Sequence, residues 1–417
     1  MRVNHISHSY SGGGAAIAAR RLHLALLSKG ANSHMTVVDG PDEDRITKFA
    51  PRKTLKRLCQ REYARLLRKK YARTQVNGLA SLGLARSGLA AYLNSQPSQI
   101  LNLHWVNSDM ISIAEIGAVK HPVVWTFHDM WPFSGAEHVS ELDRWRDGYV
   151  SSEFSGFDLN RWVWKRKAAH WKKPFQVVCP SNWLADCVRQ SALMRDWPVT
   201  VIPNAIDTDF WAPFEKAQAR ADLSLPQDAP LVLFGAVQAT QDPNKGFAHL
   251  VEAMRRVQSA VPDVQAVVFG SDKIDAEFPY PIHFMGRISD NRVLKRIYSA
   301  ADVFVLPSRR EVLGYTGVEA MCCGVPVAGF KTSGLSDLVP NQSLGYLARP
   351  FEAEDLARGV ISILQNRHNE TGLAMSGTAR QHAVDSFAEA VVAGQYQALY
   401  EEIADSTEYG FGATSEC

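Results

Sequence analysis

Short apolar runs alternate with amphipathic stretches along almost the whole chain. The apolar runs are rich in Val, Ile, Leu and Phe and are bounded by Gly, Pro, Asn and Asp, so they predict strands. In the first half these are Val3–Ser7, His34–Val38, Ile100–Trp105, Val123–Phe127, Phe175–Pro180 and Val199–Ile202. In the second they are Leu231–Gly235, Val264–Gly270, Ile282–Met285, Val303–Leu306, Val325–Gly329 and Gly345–Leu347. Helical periodicity fills the intervals, as in Ala15–Lys29, Ala248–Ala260, Asn291–Ala300 and Gly317–Cys323. A βαβα rhythm of this kind predicts parallel sheets covered on both faces. The rhythm restarts after a Pro-Asn turn and an irregular segment near 205–228. Two doubly wound, Rossmann-like α/β halves facing each other across a cleft are therefore expected. The boundaries are read as 1–204, 205–386, a C-terminal helical segment 387–404, and a polar tail 405–417 expected to be disordered.

The length of 417 residues agrees with two domains, and an apolar fraction of 46% with a large core. A formal net charge of +2 carries no message about nucleic acid. The six cysteines form no C-x-x-C, so free thiols in a reducing compartment are expected. The N-terminal residues lack an apolar signal core, and no run approaches the roughly 18 apolar residues of a membrane span. The chain reads as cytoplasmic, at most peripheral on the inner face of the plasma membrane.

The densest chemistry lies in Ser308–Phe330, SRREVLGYTGVEAMCCGVPVAGF. Glu311 and Glu319 are separated by seven residues, with Gly314 between them. If Thr316 opens a helix, eight helical steps put the carboxylates about 12 Å apart along the axis. Hydrolytic carboxylate pairs stand roughly 5 Å or 6.5–9.5 Å apart, so this spacing argues against glycoside hydrolysis. It suits two anchors on one long polyol ligand, with a positive helix start between them for a phosphate.

Other candidates sit at predicted strand ends, where α/β sheets bind ligands. Gly12–Gly14 follow the first strand and open a helix. His128 and Asp129 end the strand in VVWTFHDMWPFSG. His128 could donate to a phosphate or hydroxyl, and Asp129 could fix its tautomer or orient an acceptor. His104-Trp105 with Asn107 could line the same place. Lys245 opens a helix after a long polar loop and could neutralise a phosphate. Arg287 ends another strand and could do the same. No metal-ligand cluster is visible. Two segments are locally basic. Arg52–Arg73 holds ten Lys/Arg and one acid, with Leu and Tyr at helical spacing, and Arg161–Lys173 interleaves three Trp with six Lys/Arg. Both suit an anionic membrane surface, and the alternative for the first is a helix packing its apolar stripe on the domain.

Taken together, these motifs resemble the retaining glycosyltransferases of the GT-B fold, family 4 or "group 1", above all bacterial enzymes of the colanic-acid and exopolysaccharide type. The resemblance runs to about Tyr400. It is carried by GGGAAIAARRLHLALLSKG, HWVN, TFHDMWPFSG, PSNWLADCVRQS, VIPNAIDTDFW, FGAVQATQDPNKGF, FMGRISD, ADVFVLPSRREVLGYTGVEAMCCGVPVAGF and GYLARPFEAEDLA. It implies that Glu311 contacts hydroxyls of a donor hexose and that Glu319 holds the ribose. The backbone of Leu313, Gly314, Tyr315 and Thr316 would grip sugar and diphosphate, with Lys245 on the diphosphate and Arg287 as a second candidate cation. Gly13 and Gly14 would close over the donor, and His128 would lie near the reacting centre. Segment 387–403 would cross back to the first domain.

The implied activity is a retaining, metal-independent hexosyl transfer from a nucleotide sugar to a lipid-linked glycan, with no cofactor. A sugar-nucleotide epimerase, a GT-B phosphorylase or a non-catalytic scaffold subunit are the alternatives. Three positions depart from the family pattern. Gly235-Ala236 stands where Gly-Arg is usual, Gly314-Tyr315 where Pro-Asn is usual, and 136–164 lacks the cysteines of nearer relatives.

Overall fold

The computed structural model describes residues 1–76, 78–150, 156–235, 240–271 and 278–411, the side chains of Arg73 and 407–411 excepted. The first seven strands are β1 (Arg2–Ser9), β2 (Asn32–Asp39), β3 (Ile46–Lys48), β4 (Ile100–Leu103), β5 (Val123–Thr126), β6 (Gln176–Cys179) and β7 (Val199–Val201). They form one sheet in the order β3-β2-β1-β4-β5-β6-β7. The others are β8 (Leu231–Gly235), β9 (Gln265–Phe269), β10 (Ile282–Phe284), β11 (Val303–Leu306), β12 (Val327–Phe330) and β13 (Gly345–Ala348). They form a second sheet in the order β10-β9-β8-β11-β12-β13. All strand pairs in both sheets are parallel. Strands such as β8, β11 and β12 are buried at every residue, which is why they read as unbroken apolar runs rather than alternating ones. Edge strand β3 is the element that hydropathy missed: of Ile46, Thr47 and Lys48 only Ile46 is buried, too little for a periodic signal.

The chain divides into two compact units: Met1–Ala205 together with the chain from Val392 onward, and Ile206–Val391. Each sheet reverses its winding once, between β1 and β4 in the first unit and between β8 and β11 in the second. At such a point the loops leaving neighbouring strands diverge and open a crevice at the carboxyl ends. Every candidate residue named above except Glu319 lies in a loop or helix start that follows a strand.

The last helix, Glu389–Phe411, supplies part of the first unit's core. Val392, Ala393, Tyr396, Leu399 and Tyr400 pack with Val3, Leu22, Leu26, Ile100, Val124, Val178 and Ile202. Tyr396 and Tyr400 carry hydroxyls into this core, and both are satisfied there. Tyr396 Oη pairs with Thr126 Oγ1 at 3.0 Å, and Tyr400 donates to Asn102 Oδ1. The helix runs past Asp405, where the polar composition suggested disorder, because extending an established helix costs little compared with nucleating one.

Burying two tyrosines through a distant segment makes a prediction. Tyr400→Ala should lower the unfolding free energy by about 3–5 kcal/mol in urea titrations, and Tyr400→Phe by about 1–2 kcal/mol. An unchanged midpoint in Tyr400→Ala would contradict the packing.

Candidate active site

The second unit's residues assemble at its winding reversal. Lys245 lies on the loop after β8, in a single turn Pro243–Lys245. The next residue, Gly246, has φ 72°, and a Cβ there would lie 2.0 Å from the Pro307 carbonyl oxygen. Only glycine lets the two loops approach this closely. Lys245 Nζ then donates to Glu311 Oε1 at 2.6 Å, and Ser308 Oγ donates to the same oxygen at 3.0 Å. Glu311 holds the Lys245 ammonium above its ordinary pKa, more than offsetting burial, which acts the other way. The lysine is therefore a fixed cation.

Asn244 clasps the two loops. Its side chain donates to the Arg310 carbonyl at 2.8 Å and accepts from the Arg310 amide at 3.1 Å, while its carbonyl accepts from Arg309 N at 2.8 Å. The Glu311 amide donates to Ser333 Oγ at 2.9 Å.

Gly314, at φ 87°, begins the helix Tyr315–Cys322 and offers no side-chain cap, so the first-turn amides face away from the helix body. Leu313 and Gly314 are buried, and Tyr315 and Thr316 are half-buried. The helix begins at Tyr315, so Glu311 is outside it and the axial estimate of about 12 Å does not apply to the pair. Glu319 is buried at 8% exposure and accepts from Tyr298 Oη at 3.1 Å. Arg287 is exposed after β10 and forms no ion pair with Glu311 or another described residue. Ala236 lies outside the described residues.

The first unit has a cavity of about 340 Å³ at its own reversal, lined by Ser7, Ser9, Gly12–Ala16, Trp105, His128 and Asp129. Gly13 (φ 87°) precedes the helix Gly14–Ser28 without a side-chain cap. A Cβ on Gly13 or Gly14 would meet nothing within 4 Å, so their backbone borders open space. A helix start in that position favours an anion or a polar oxygen. His128 lines the cavity, and its Nε2 pairs with His104 Nδ1 at 3.1 Å.

Asp129 does not orient His128. It accepts from His138 Nδ1 at 2.6 Å, Trp105 Nε1 at 2.9 Å and Trp131 N at 2.9 Å. Burial pushes its carboxyl up, but these donors more than compensate and leave it below its ordinary value. His138, which no sequence motif singled out, also pairs through Nε2 with Ser81 Oγ at 2.8 Å. His104 is buried rather than cavity-lining, and Asn107 is buried outside the cavity wall.

The two basic segments part company. Lys167, the centre of Arg161–Lys173, is fully buried. Its ammonium donates to the Trp131, Ser134 and Gly135 carbonyls and lies 4.0 Å over the Trp131 ring. Trp171 is buried too and donates to Ile113 O at 2.8 Å. This segment is therefore no continuous membrane patch: carbonyls and aromatic faces inside the unit satisfy its central cation and one of its indoles. In Arg52–Arg73 the opposite holds. The helix Leu55–Leu67 buries only Ala64 and exposes Leu55 (78%), Leu58 (56%), Tyr63 (53%) and Leu66 (51%).

Two family models cover most of the chain: that for glycosyltransferase family 4 matches residues 12–210, and that for glycosyl transferases group 1 matches residues 215–382. The chain belongs to the group 1 glycosyltransferases. Alpha-maltose-1-phosphate synthase of Mycolicibacterium smegmatis is 26% identical over 71% of this chain and 81% of its own length. Phosphatidyl-myo-inositol mannosyltransferase of Mycobacterium tuberculosis is 26% identical over 74% of each. Among solved structures, Anabaena Alr3699/HepE in complex with UDP and glucose matches with a TM-score of 0.63 at 17% identity, covering 96% of this chain and 99% of that one. These likenesses and the two parallel sheets establish a GT-B α/β fold.

Burial of the first unit's histidines sets its acid stability. His5 and His104 are held neutral chiefly by burial, and burial takes His23 and His128 down to about 4. Unfolding lets each bind a proton near its ordinary value of 6.5, so stability is full above that pH and is lost as pH falls below it. Each buried histidine can contribute up to about 1.4 kcal/mol per pH unit in this window. Urea midpoints should fall steeply between pH 7 and 5, and less so in His5→Phe. A flat profile would contradict the neutral assignments.

Proposed function

We propose that this glycosyltransferase moves a hexose from a nucleotide sugar to a hydroxyl of a lipid-linked glycan in bacterial surface-polysaccharide synthesis, with retention and without a metal ion. The observation that carries the reading is the Lys245–Glu311 pair, held by interlocked loops beside an uncapped helix start. A hexose hydroxyl would take over hydrogen bonding to Glu311, and the donor diphosphate would take over Lys245. The bond between the anomeric carbon and the diphosphate oxygen breaks as the acceptor oxygen attacks from the same face. The acceptor proton passes to the departing phosphate, whose growing charge Lys245 and the first-turn amides stabilise. Glu319 would hold the ribose by exchanging its bond from Tyr298. In the first unit's own cavity, Gly13, Gly14 and His128 would meet an oxygen of a sugar or a phosphate. Arg287 remains a candidate second cation for the diphosphate. The UDP and glucose bound by the Anabaena relative support a donor of this class.

The exposed stripe of Leu55, Leu58, Tyr63 and Leu66 among Lys/Arg supports an anionic membrane surface as the place where acceptor is met. Among the described residues no helix is long and apolar enough to cross a membrane.

Lys245→Ala and Glu311→Ala should each lower kcat/KM at least 100-fold while activity persists in excess EDTA. Near-normal turnover in either variant, or strict Mg²⁺ dependence, would refute the mechanism. In co-sedimentation, the protein should pellet with vesicles rich in phosphatidylglycerol and not with phosphatidylcholine alone. Leu58→Ser with Leu66→Ser should weaken that binding at least tenfold, and undiminished binding would remove the helix from the account.

A further inference from the structure

Three neighbouring strands, β1, β4 and β5, each bring a histidine into one row that crosses the first sheet's winding reversal. His5 Nδ1 lies 3.0 Å from His104 Nε2, and His104 Nδ1 lies 3.1 Å from His128 Nε2. The rings are 5.3 and 5.4 Å apart, centre to centre. Each ring engages the next through opposite nitrogens, so one choice of tautomer fixes all three. If the protons point inward, His5 carries an N–H at Nε2, and that atom is buried with no hydrogen-bond partner. If they point outward, the same atom is only an unused lone pair. A buried orphan N–H is the rarer and costlier of the two. The outward arrangement is therefore favoured. His5 Nδ1–H donates to His104, His104 Nδ1–H donates to His128 Nε2, and His128 keeps its remaining proton on Nδ1.

We propose that His5 and His104 are positioning residues that lock His128 as its Nδ1–H tautomer, so that it offers the cavity a hydrogen-bond donor and not a base. The group it would meet is an accepting oxygen of a sugar hydroxyl or a phosphate, beside the Gly13–Gly14 helix start. This rests on the reading of His128 as a ligand-facing residue of the transferase. The chain also explains why Asp129 is not needed to orient His128: the orienting contact comes from the strand beside it.

Long-range proton–nitrogen NMR of the histidine rings in the full chain tests this without needing substrate. His128→Gln identifies the His128 signals by their loss. The expected wild-type spectrum shows His128 with a protonated Nδ1 and an unprotonated Nε2. In His104→Leu the His128 signals should move toward the Nε2–H form. His104→Asn, which keeps an N–H donor near the Nδ1 position, should hold them in place. With a turned-over nucleotide sugar, His104→Leu should lower kcat/KM at least tenfold and His104→Asn should restore it to within about threefold. A wild-type His128 protonated at Nε2 overturns the proposal outright, even if no variant folds. Unmoved His128 signals in a folded His104→Leu overturn the locking role. Because the ring spectra do not depend on transfer, an inactive protein with the expected tautomer would refute the transferase reading and leave the lock standing.

Discussion

Both sheets are wholly parallel, and that constraint organises everything else. A parallel strand must be followed by a crossover, so every connection that carries chemistry leaves from the carboxyl end of a strand. Where the winding reverses, between β1 and β4 and between β8 and β11, neighbouring loops run apart and their backbone is left to find other partners. In the first unit the partners are glycines and a helix start around a cavity. In the second they are Asn244, Ser308, Ser333 and the Lys245–Glu311 pair. The candidate site of this glycosyltransferase is what a doubly wound sheet leaves unfilled.

Burial decides which polar groups can act. Lys167 is fully buried and Lys245 half-buried, with opposite consequences. Lys167 is enclosed by backbone carbonyls and pushed well below its ordinary pKa by burial. Its bonds are spent on holding the loop after β5. Lys245 faces one carboxylate at the edge of its unit and is held above its ordinary value, so a diphosphate can compete for it. The same distinction separates Asp129, which accepts from three donors, from Glu311, whose described donors are the side chains of Lys245 and Ser308 on two loops.

Twelve of the thirteen strands were legible because buried parallel strands concentrate β-branched and aromatic residues between turn formers. Lys245, Glu311 and His128 were legible because each follows such a run. The partners that fix them were not. Asn244 and Ser333 act across gaps of 66 and 22 residues, and nothing in local composition announces a clasp. His5 looked like one more strand residue, and His138 like a loop residue after a proline-aromatic turn. The tryptophans and lysines of Arg161–Lys173 suggested a surface because composition cannot tell a lysine lodged among carbonyls from one in solvent. The helix at Leu55–Leu67 shows the converse: amphipathic spacing was plain in the sequence, but only the structure shows that its apolar stripe faces outward.

We propose that the second unit's loops take a nucleotide diphosphate at Lys245. Saturation-transfer NMR with UDP-, GDP- and TDP-sugars tests it directly, on the wild-type chain and on Lys245→Ala side by side. Clear transfer to the ribose and base protons of at least one of these donors is expected in the wild type, and its loss in Lys245→Ala. Transfer of equal strength in the two proteins, or none to any nucleotide sugar in the wild type, would contradict it.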